Sequence, residues 1–218
     1  MSATLGVLLQ HLDPQLNIIM VEQLPEVALE SSSALNNAGT GHAGYCELNY
    51  TPQAKDGSVS TERALEINAA FEVSLQFWSS LVESGSLPSP DSFINKTPHL
   101  SLVWGDQNVA FLKQRYQLLQ QHHLFADMQF SDDFSQLQAW LPLVMANRQK
   151  QQAMAATYVD YGSDVNFGAL TRFLVNNLKQ SANFTLITQS RVKQIKKLKS
   201  KDTPWSLAIQ DLATNKSH

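Results

Sequence analysis

At 218 residues, 43% hydrophobic and 16% charged, the chain has globular composition and enough length for one large domain or two small ones. A net charge of -3 excludes a global field that recruits nucleic acid, and the single Cys46 excludes an internal disulfide and fits a reducing, cytoplasmic setting. No apolar run reaches the roughly 20 residues of a membrane span, and no basic n-region precedes the first apolar stretch, which argues against secretion.

The chain opens on an expected amphipathic helix, MSATLGVLLQHL, with Leu5, Leu8, Leu9 and Leu12 on one side, Ser2 as its cap and Pro14 after its end. Asn17 to Leu24 is a nearly continuous apolar run, as in a buried parallel strand. Helix then strand is the second half of a βαβ unit, whose first strand and phosphate-binding turn are expected before Met1. Residues 34–44 are small, polar and Gly-rich, hence a loop. Ala64, Ile67, Phe71, Leu75 and Trp78 fall at helical spacing and predict a long helix over 61–83. A Ser/Pro-rich break at 84–92 suggests a domain crossover.

Residues 93–105 read as strand, with Pro98 at an edge or bulge. Helices are expected at 108–122 and 134–141, the second interrupted by Pro142. Strand character returns at 155–162, and 164–178 reads as a helix with Leu170, Phe173, Leu174 and Leu178 inward. One strand is expected over 184–195 and another over 203–212, joined as a hairpin. The fold class is therefore α/β.

Several features carry chemistry, each beside a plainer reading. Glu22 ends the presumed strand about 20 residues after the helix start, where dinucleotide-binding units place an acid on a ribose hydroxyl. An exposed strand-end carboxylate is the plainer reading. Residues 36–44 could bring backbone N–H groups to a phosphate or a ring, or be an ordinary turn; His42 adds a titratable group. His122 and His123 would diverge on a helix and have no ligand-spaced acids or cysteines, so no metal site is expected. Arg191, Lys193, Lys196, Lys197, Lys199 and Lys201 form a basic run, either a solvated hairpin edge or an anion-facing surface. Phe71, Phe77, Trp78, Phe111, Tyr116 and Leu119 are expected in the core.

The segment ESSSALNNAGTGHAGYCELNYTP, residues 30–52, resembles one in the malate:quinone oxidoreductases. So do MSATLGVLL, FINKTPHLSLVWGDQNVAFLKQRY and YGSDVNFGALTRFL, in the same order, with Leu35 departing where a tryptophan is expected. In the wider superfamily of D-amino-acid-oxidase-like flavoproteins, Asn37, Gly39, His42 and Gly44 match a loop beside the flavin ring. The resemblance implies an incomplete FAD-binding Rossmann-type domain with an inserted substrate domain. The corresponding division is 1–90 and 161–218 for the FAD-binding part and 91–160 for the substrate domain. It also implies a fragment lacking the Gly-x-Gly turn and the C-terminal part, one reading of which is an inactive chain unable to hold FAD.

Ser2 would occupy the third position of GxGxxG. The resemblance extends FAD contact to Ser31, Ser32, Thr40, Gly41 and Val192, besides Glu22, Asn37 and Gly39. The activity implied is FAD-dependent oxidation of (S)-malate to oxaloacetate, with electrons passing to a membrane quinone; a 2-hydroxyglutarate-type oxidase is the alternative. A histidine is the natural base near neutral pH, His42 first and His99 second. Lys96, Arg148 and Arg172 are candidates for the malate carboxylates. The implied location is peripheral, on the inner face of the cytoplasmic membrane.

Overall fold

The computed structural model describes residues 1–41, 43–199 and 204–214. In chain order the elements are α1 (Ser2–Leu12), β1 (Ile18–Val21), α2 (Glu62–Glu83), β2 (Ile94–Lys96), β3 (His99–Trp104), α3 (Asp106–Leu119), β4 (Gln129–Ser131), α4 (Phe134–Trp140), α5 (Pro142–Met145), β5 (Met154–Val159), β6 (Ser163–Val165), α6 (Phe167–Leu178), β7 (Phe184–Ile187), β8 (Ser190–Lys197) and β9 (Trp205–Asp211). The chain forms two compact units. The first comprises Met1–Gly39, Leu81–Phe93 and Asn166–His218, the second Thr40–Ser80 and Ile94–Val165.

In the first unit β1 and β7 pair in parallel, from Ile18 opposite Phe184 to Val21 opposite Ile187. The apolar run of β1 is not buried as expected: Ile19 is 65% exposed, and β1 pairs only with β7 among the described residues. α1 packs on α6 through a face that periodicity did not indicate. Ala3, Gly6 and Val7 are buried, while Leu5, Leu8 and Leu12 are exposed. Small residues win that face because the helices approach closely: a Cβ on Gly6 would lie 2.9 Å from Leu178 Cδ1. Nor does Ser2 cap α1; Met1 stands at the N-cap, without a side-chain bond. α6 buries Gly168, Leu170, Leu174, Val175 and Leu178.

Two further expectations fail here. The helix expected from Asp164 begins at Phe167, capped by Asn166 accepting from the Ala169 N–H. The strand expected over 184–195 is two strands. It breaks at Gln189, whose φ of 49° no strand can hold.

In the second unit β5 is the central strand of an antiparallel sheet, with β3 and β4 on its flanks. One face carries Val103 and Ala155 against Leu112 and Val109 of α3. The other carries Leu102, Met154 and Ala156 against Leu137 of α4 and Met145 of α5. Pro98 separates β2 from β3, and β2 pairs with β6, so Asp164 and Val165 are strand residues bound to Asn95 and Ile94. α2 buries Ala64, Asn68, Phe71 and Trp78. His122 and His123 lie past the end of α3 with ring centroids 4.5 Å apart, so the diverging helical geometry does not apply to them. Among the described residues, no helix is long and apolar enough to cross a membrane.

Candidate functional site

In the first unit a cleft of about 170 Å³ opens where α1 starts and β1 ends. Ser2 lines it from the first turn of α1, Glu22 from the position just after β1, and Glu30, Ser31 and Ser32 from the following loop. The sheet fixes Glu22. Its N–H donates to the Ile187 carbonyl at 2.8 Å, its carbonyl accepts from the Ser190 N–H at 3.0 Å, and its Oε1 accepts from the Leu24 N–H at 2.9 Å. The loop is tied by asparagines. Asn36 Nδ2 donates to the Glu30 carbonyl at 3.1 Å, and Asn37 Nδ2 to the Ser31 carbonyl at 3.0 Å. Asn37 Oδ1 accepts from the Gly39 N–H at 2.9 Å, with Gly39 at φ 72°, a left-handed turn suited to glycine. Thr171 Oγ1 of α6 reaches Ser32 Oγ at 3.4 Å.

Electrostatically, Glu22 and Glu30 line this cleft, and among the described residues no Lys or Arg does. Hydroxyl groups suit the carboxylates. An anionic group finds donors at the N-terminus of α1, where the first-turn N–H groups have no helical partner. Val192 does not line the cleft. It sits in β8, opposite Ile209, next to Arg191, whose Nε donates to Gln23 Oε1 at 2.9 Å. Arg172 lies on the exposed side of α6, beside Pro25, Glu26 and Lys179 in a separate depression.

In the second unit the continuing loop is built differently. Thr40 bridges to Asp164, and the Gly41 N–H donates to the Ser163 carbonyl at 2.8 Å. Gly41 is required by space: a Cβ would lie 2.8 Å from Ser163 O and 2.9 Å from Phe71 Cζ. His42, the first candidate base, lies outside the described residues. His99 is 8% exposed, and its Nε2 is 3.0 Å from the Ser163 carbonyl. A carbonyl only accepts, so Nε2 carries a proton. Nδ1 faces Cys46 Sγ at 3.8 Å, and burial pushes the Cys46 thiol up, keeping it neutral. Tyr45 stands edge-on to His99, Phe125 and Tyr161 with centroids 6.3, 5.5 and 5.6 Å away, and burial raises its phenol pKa.

The three cations stand apart. Lys96 is exposed on β2 opposite Ser163, whose carbonyl holds His99, so it is near that histidine. Arg148 is occupied: its Nε reaches the Val144 carbonyl at 3.4 Å, its Nη1 reaches Gln152 Oε1 at 3.3 Å, and its guanidinium lies 5.6 Å from the Trp104 ring centroid. Trp104 ends β3 and His99 begins it, about 17 Å apart at strand rise. The second unit therefore does not bring Arg148 to His99.

Sequence reading missed Arg115. It is fully buried on α3 between Leu112 and Leu119. Its Nε donates to Thr51 Oγ1 at 2.9 Å, and its Nη2 donates to the Gly44 and Tyr45 carbonyls at 2.9 and 3.1 Å. Nη1 has no partner, and burial pushes the guanidinium pKa down to about 10. The available signal was an arginine on a face otherwise held by leucines, at i+3 and i+7 from Leu112. Asn68 Nδ2 adds a donor to the Ala43 carbonyl at 2.7 Å, and Ser101 Oγ one to the Cys46 carbonyl at 2.7 Å.

The sequence model of the malate:quinone oxidoreductases matches residues 1–218, the entire chain. The chain belongs to the malate:quinone oxidoreductase family. Among curated relatives, a "Probable malate:quinone oxidoreductase" of Tolumonas auensis is 58% identical over 212 residues, which are 97% of this chain and 43% of that protein. Another of that name, from Cronobacter sakazakii, is 51% identical over 218 residues, 100% of this chain and 39% of the relative. The chain thus spans about two-fifths of the length of these family members. Among solved structures, the dithionite-reduced L-alpha-glycerophosphate oxidase of Mycoplasma pneumoniae with FAD bound aligns with a TM-score of 0.59 at 14% identity, over 94% of this chain and 46% of that one. The glycine oxidase of Geobacillus kaustophilus aligns with a TM-score of 0.59 at 17% identity, over 95% and 48%. The chain thus shares the mixed α/β fold of these two structures over the aligned part.

Proposed function

We propose that this chain serves FAD-dependent oxidation of (S)-malate to oxaloacetate, with electrons passing to a membrane quinone at the inner face of the cytoplasmic membrane. The observation carrying this is the family match over every residue, joined to a cleft with the donor set a nucleotide needs. Sugar hydroxyls fit Glu22, and a phosphate fits the first-turn amides around Ser2. At about 170 Å³ the cleft is smaller than the roughly 300–1,000 Å³ of a whole small-molecule site, so it takes one part of FAD. Asn37 and Gly39 shape the loop beside it, Ser31 and Ser32 line it, and Thr40, Gly41 and Val192 are assigned backbone contacts with the cofactor. On this reading Ser2, Glu22, Ser31, Ser32, Asn37, Gly39 and Val192 of the first unit and Thr40 and Gly41 of the second are the cofactor residues.

FAD, when bound, supplies the acceptor for the hydride that leaves C2. His42 is assigned as the base for the hydroxyl proton. His99 is the second candidate, with Nδ1 as its accepting atom and Ser163 and Cys46 fixing its ring. Of the cations, Lys96 is the best placed for a malate carboxylate; Arg148 is held elsewhere and Arg172 belongs to the first unit.

The purified chain mixed with FAD should emerge from gel filtration yellow, and (S)-malate should bleach it anaerobically faster than 2-hydroxyglutarate. A colourless chain means it does not hold the cofactor by itself, and faster bleaching by 2-hydroxyglutarate overturns the substrate. His42→Asn should abolish bleaching while retaining flavin; unchanged bleaching shifts the role to His99, tested by His99→Asn.

A further inference from the structure

The second unit holds buried polar atoms that neither the cleft nor His99 uses. Among the described residues, Arg115 Nη1, Thr157 Oγ1 and Asn68 Oδ1 are buried without a hydrogen-bond partner. Such atoms cost free energy in a protein interior. Two of the three belong to one layer. Val103 of β3 and Ala155 of β5 pack against Leu112 of α3. Ser101 and Thr157 lie two residues from Val103 and Ala155 on the same strands and stand directly opposite one another, so they continue that face. Arg115 follows Leu112 by one turn on the buried side of α3. The level matches too: Tyr116 stacks on Phe130 with centroids 5.5 Å apart, and Phe130 pairs with Thr157. At the loop, Ser101 Oγ donates to the Cys46 carbonyl at 2.7 Å, and Arg115 Nη2 donates to the neighbouring Tyr45 carbonyl at 3.1 Å. Arg115 therefore runs from α3 to the loop at the level of Thr157 and Ser101. Asn68 comes from α2, and no strand pairing sets it at this level.

We infer that Arg115 Nη1, Thr157 Oγ1 and Ser101 Oγ bind one internal water between α3 and the β3–β5 pair. The donor set selects water over an anion. Nη1 only donates, the Thr157 hydroxyl donates or accepts, and Ser101 Oγ keeps an accepting lone pair while its proton goes to Cys46. Water accepts from the guanidinium and donates to both hydroxyl oxygens, which satisfies every partner. An anion only accepts, and would set its charge against the Ser101 lone pair. Three polar partners are also the usual complement of a buried water. The water closes the clamp on the loop: it joins β5 and β3 to the arginine that holds Gly44, Tyr45 and Thr51. This site is independent of the proposed activity, and its test uses no malate, flavin or quinone.

Thr157→Val keeps the side-chain shape and removes the hydroxyl. With a bound water, urea unfolding of this variant should show the unfolding equilibrium constant raised about fivefold. A hydroxyl without a partner predicts the opposite sign, no change or a gain in stability, because the variant then removes only a desolvated polar group. Oxygen-17 relaxation dispersion of the solvent counts long-lived internal waters. The count should fall by about one per chain in Thr157→Val and in Arg115→Met, and no further in the double variant. Thr157→Ser, which keeps the hydroxyl, should retain it. Arg115→Met carries the count if the valine variant does not fold. A neutral or stabilising Thr157→Val, or a count that neither variant lowers, overturns the inference. A gain in stability when chloride replaces fluoride at fixed ionic strength, absent in Thr157→Val, also overturns it and assigns the space to an anion.

Discussion

Residues 30–52 are one continuous glycine-rich segment, yet its two stretches are held by opposite means. From Glu30 to Gly39 the ties are short. Asn36 and Asn37 reach carbonyls six residues back, and they stand exposed or half-buried. From Thr40 to Thr51 the ties are long and buried: Arg115 to Thr51, Gly44 and Tyr45, Asn68 to Ala43, Ser101 to Cys46. The first stretch is built by local turn chemistry and can yield when a ligand enters the cleft. The second is clamped by donors that cannot turn back to water, so what it positions, notably Cys46 against His99, is rigid.

The largest test of this contrast is Arg115→Met. It removes three donations and leaves buried carbonyls unpaired, although it also removes a costly buried charge. We expect a loss of about 3 kcal/mol in urea unfolding. A loss under about 1 kcal/mol would mean the clamp is not what holds the second stretch. Gly162→Ala comes next. A Cβ there collides with the His99 ring and lies 2.7 Å from the Thr97 carbonyl, so about 2 kcal/mol should go. The His99 ring nitrogens should also change their NMR shifts, and unchanged shifts would show that Gly162 does not seat the ring. Asn37→Ala should cost least, about 1 kcal/mol, because its bonds lie near solvent. Its main effect should be weaker flavin retention on gel filtration. An equal stability loss for Asn37→Ala and Arg115→Met would erase the contrast between the two stretches.

Long periodic segments were legible. The spacing of Ala64, Phe71 and Trp78 identified α2, and Pro98 marked the break between β2 and β3. Failures came where a distant partner decides. Asp164 and Val165 continue a helical pattern but become strand, because Asn95 and Ile94 offer them a ladder. The leucines of α1 suggested its inner face, but α6 accepts only the small side. Of the site, the order Asn37, Gly39, His42, Gly44 was visible as a pattern, while Arg115 looked like any helical arginine.

By itself, then, the sequence determined the family, through four segments in the same order, and the alternation of helices and strands, since apolar spacing and proline are local properties. Only the tertiary structure decided which residues share a site. It set Ser2, Glu22 and Ser32 around one cleft, tied His99 to Ser163 and Cys46, and buried Arg115 under the loop. Those hydrogen-bonded pairings join residues up to 71 positions apart along the chain, and are fixed by which donors and acceptors lose water together.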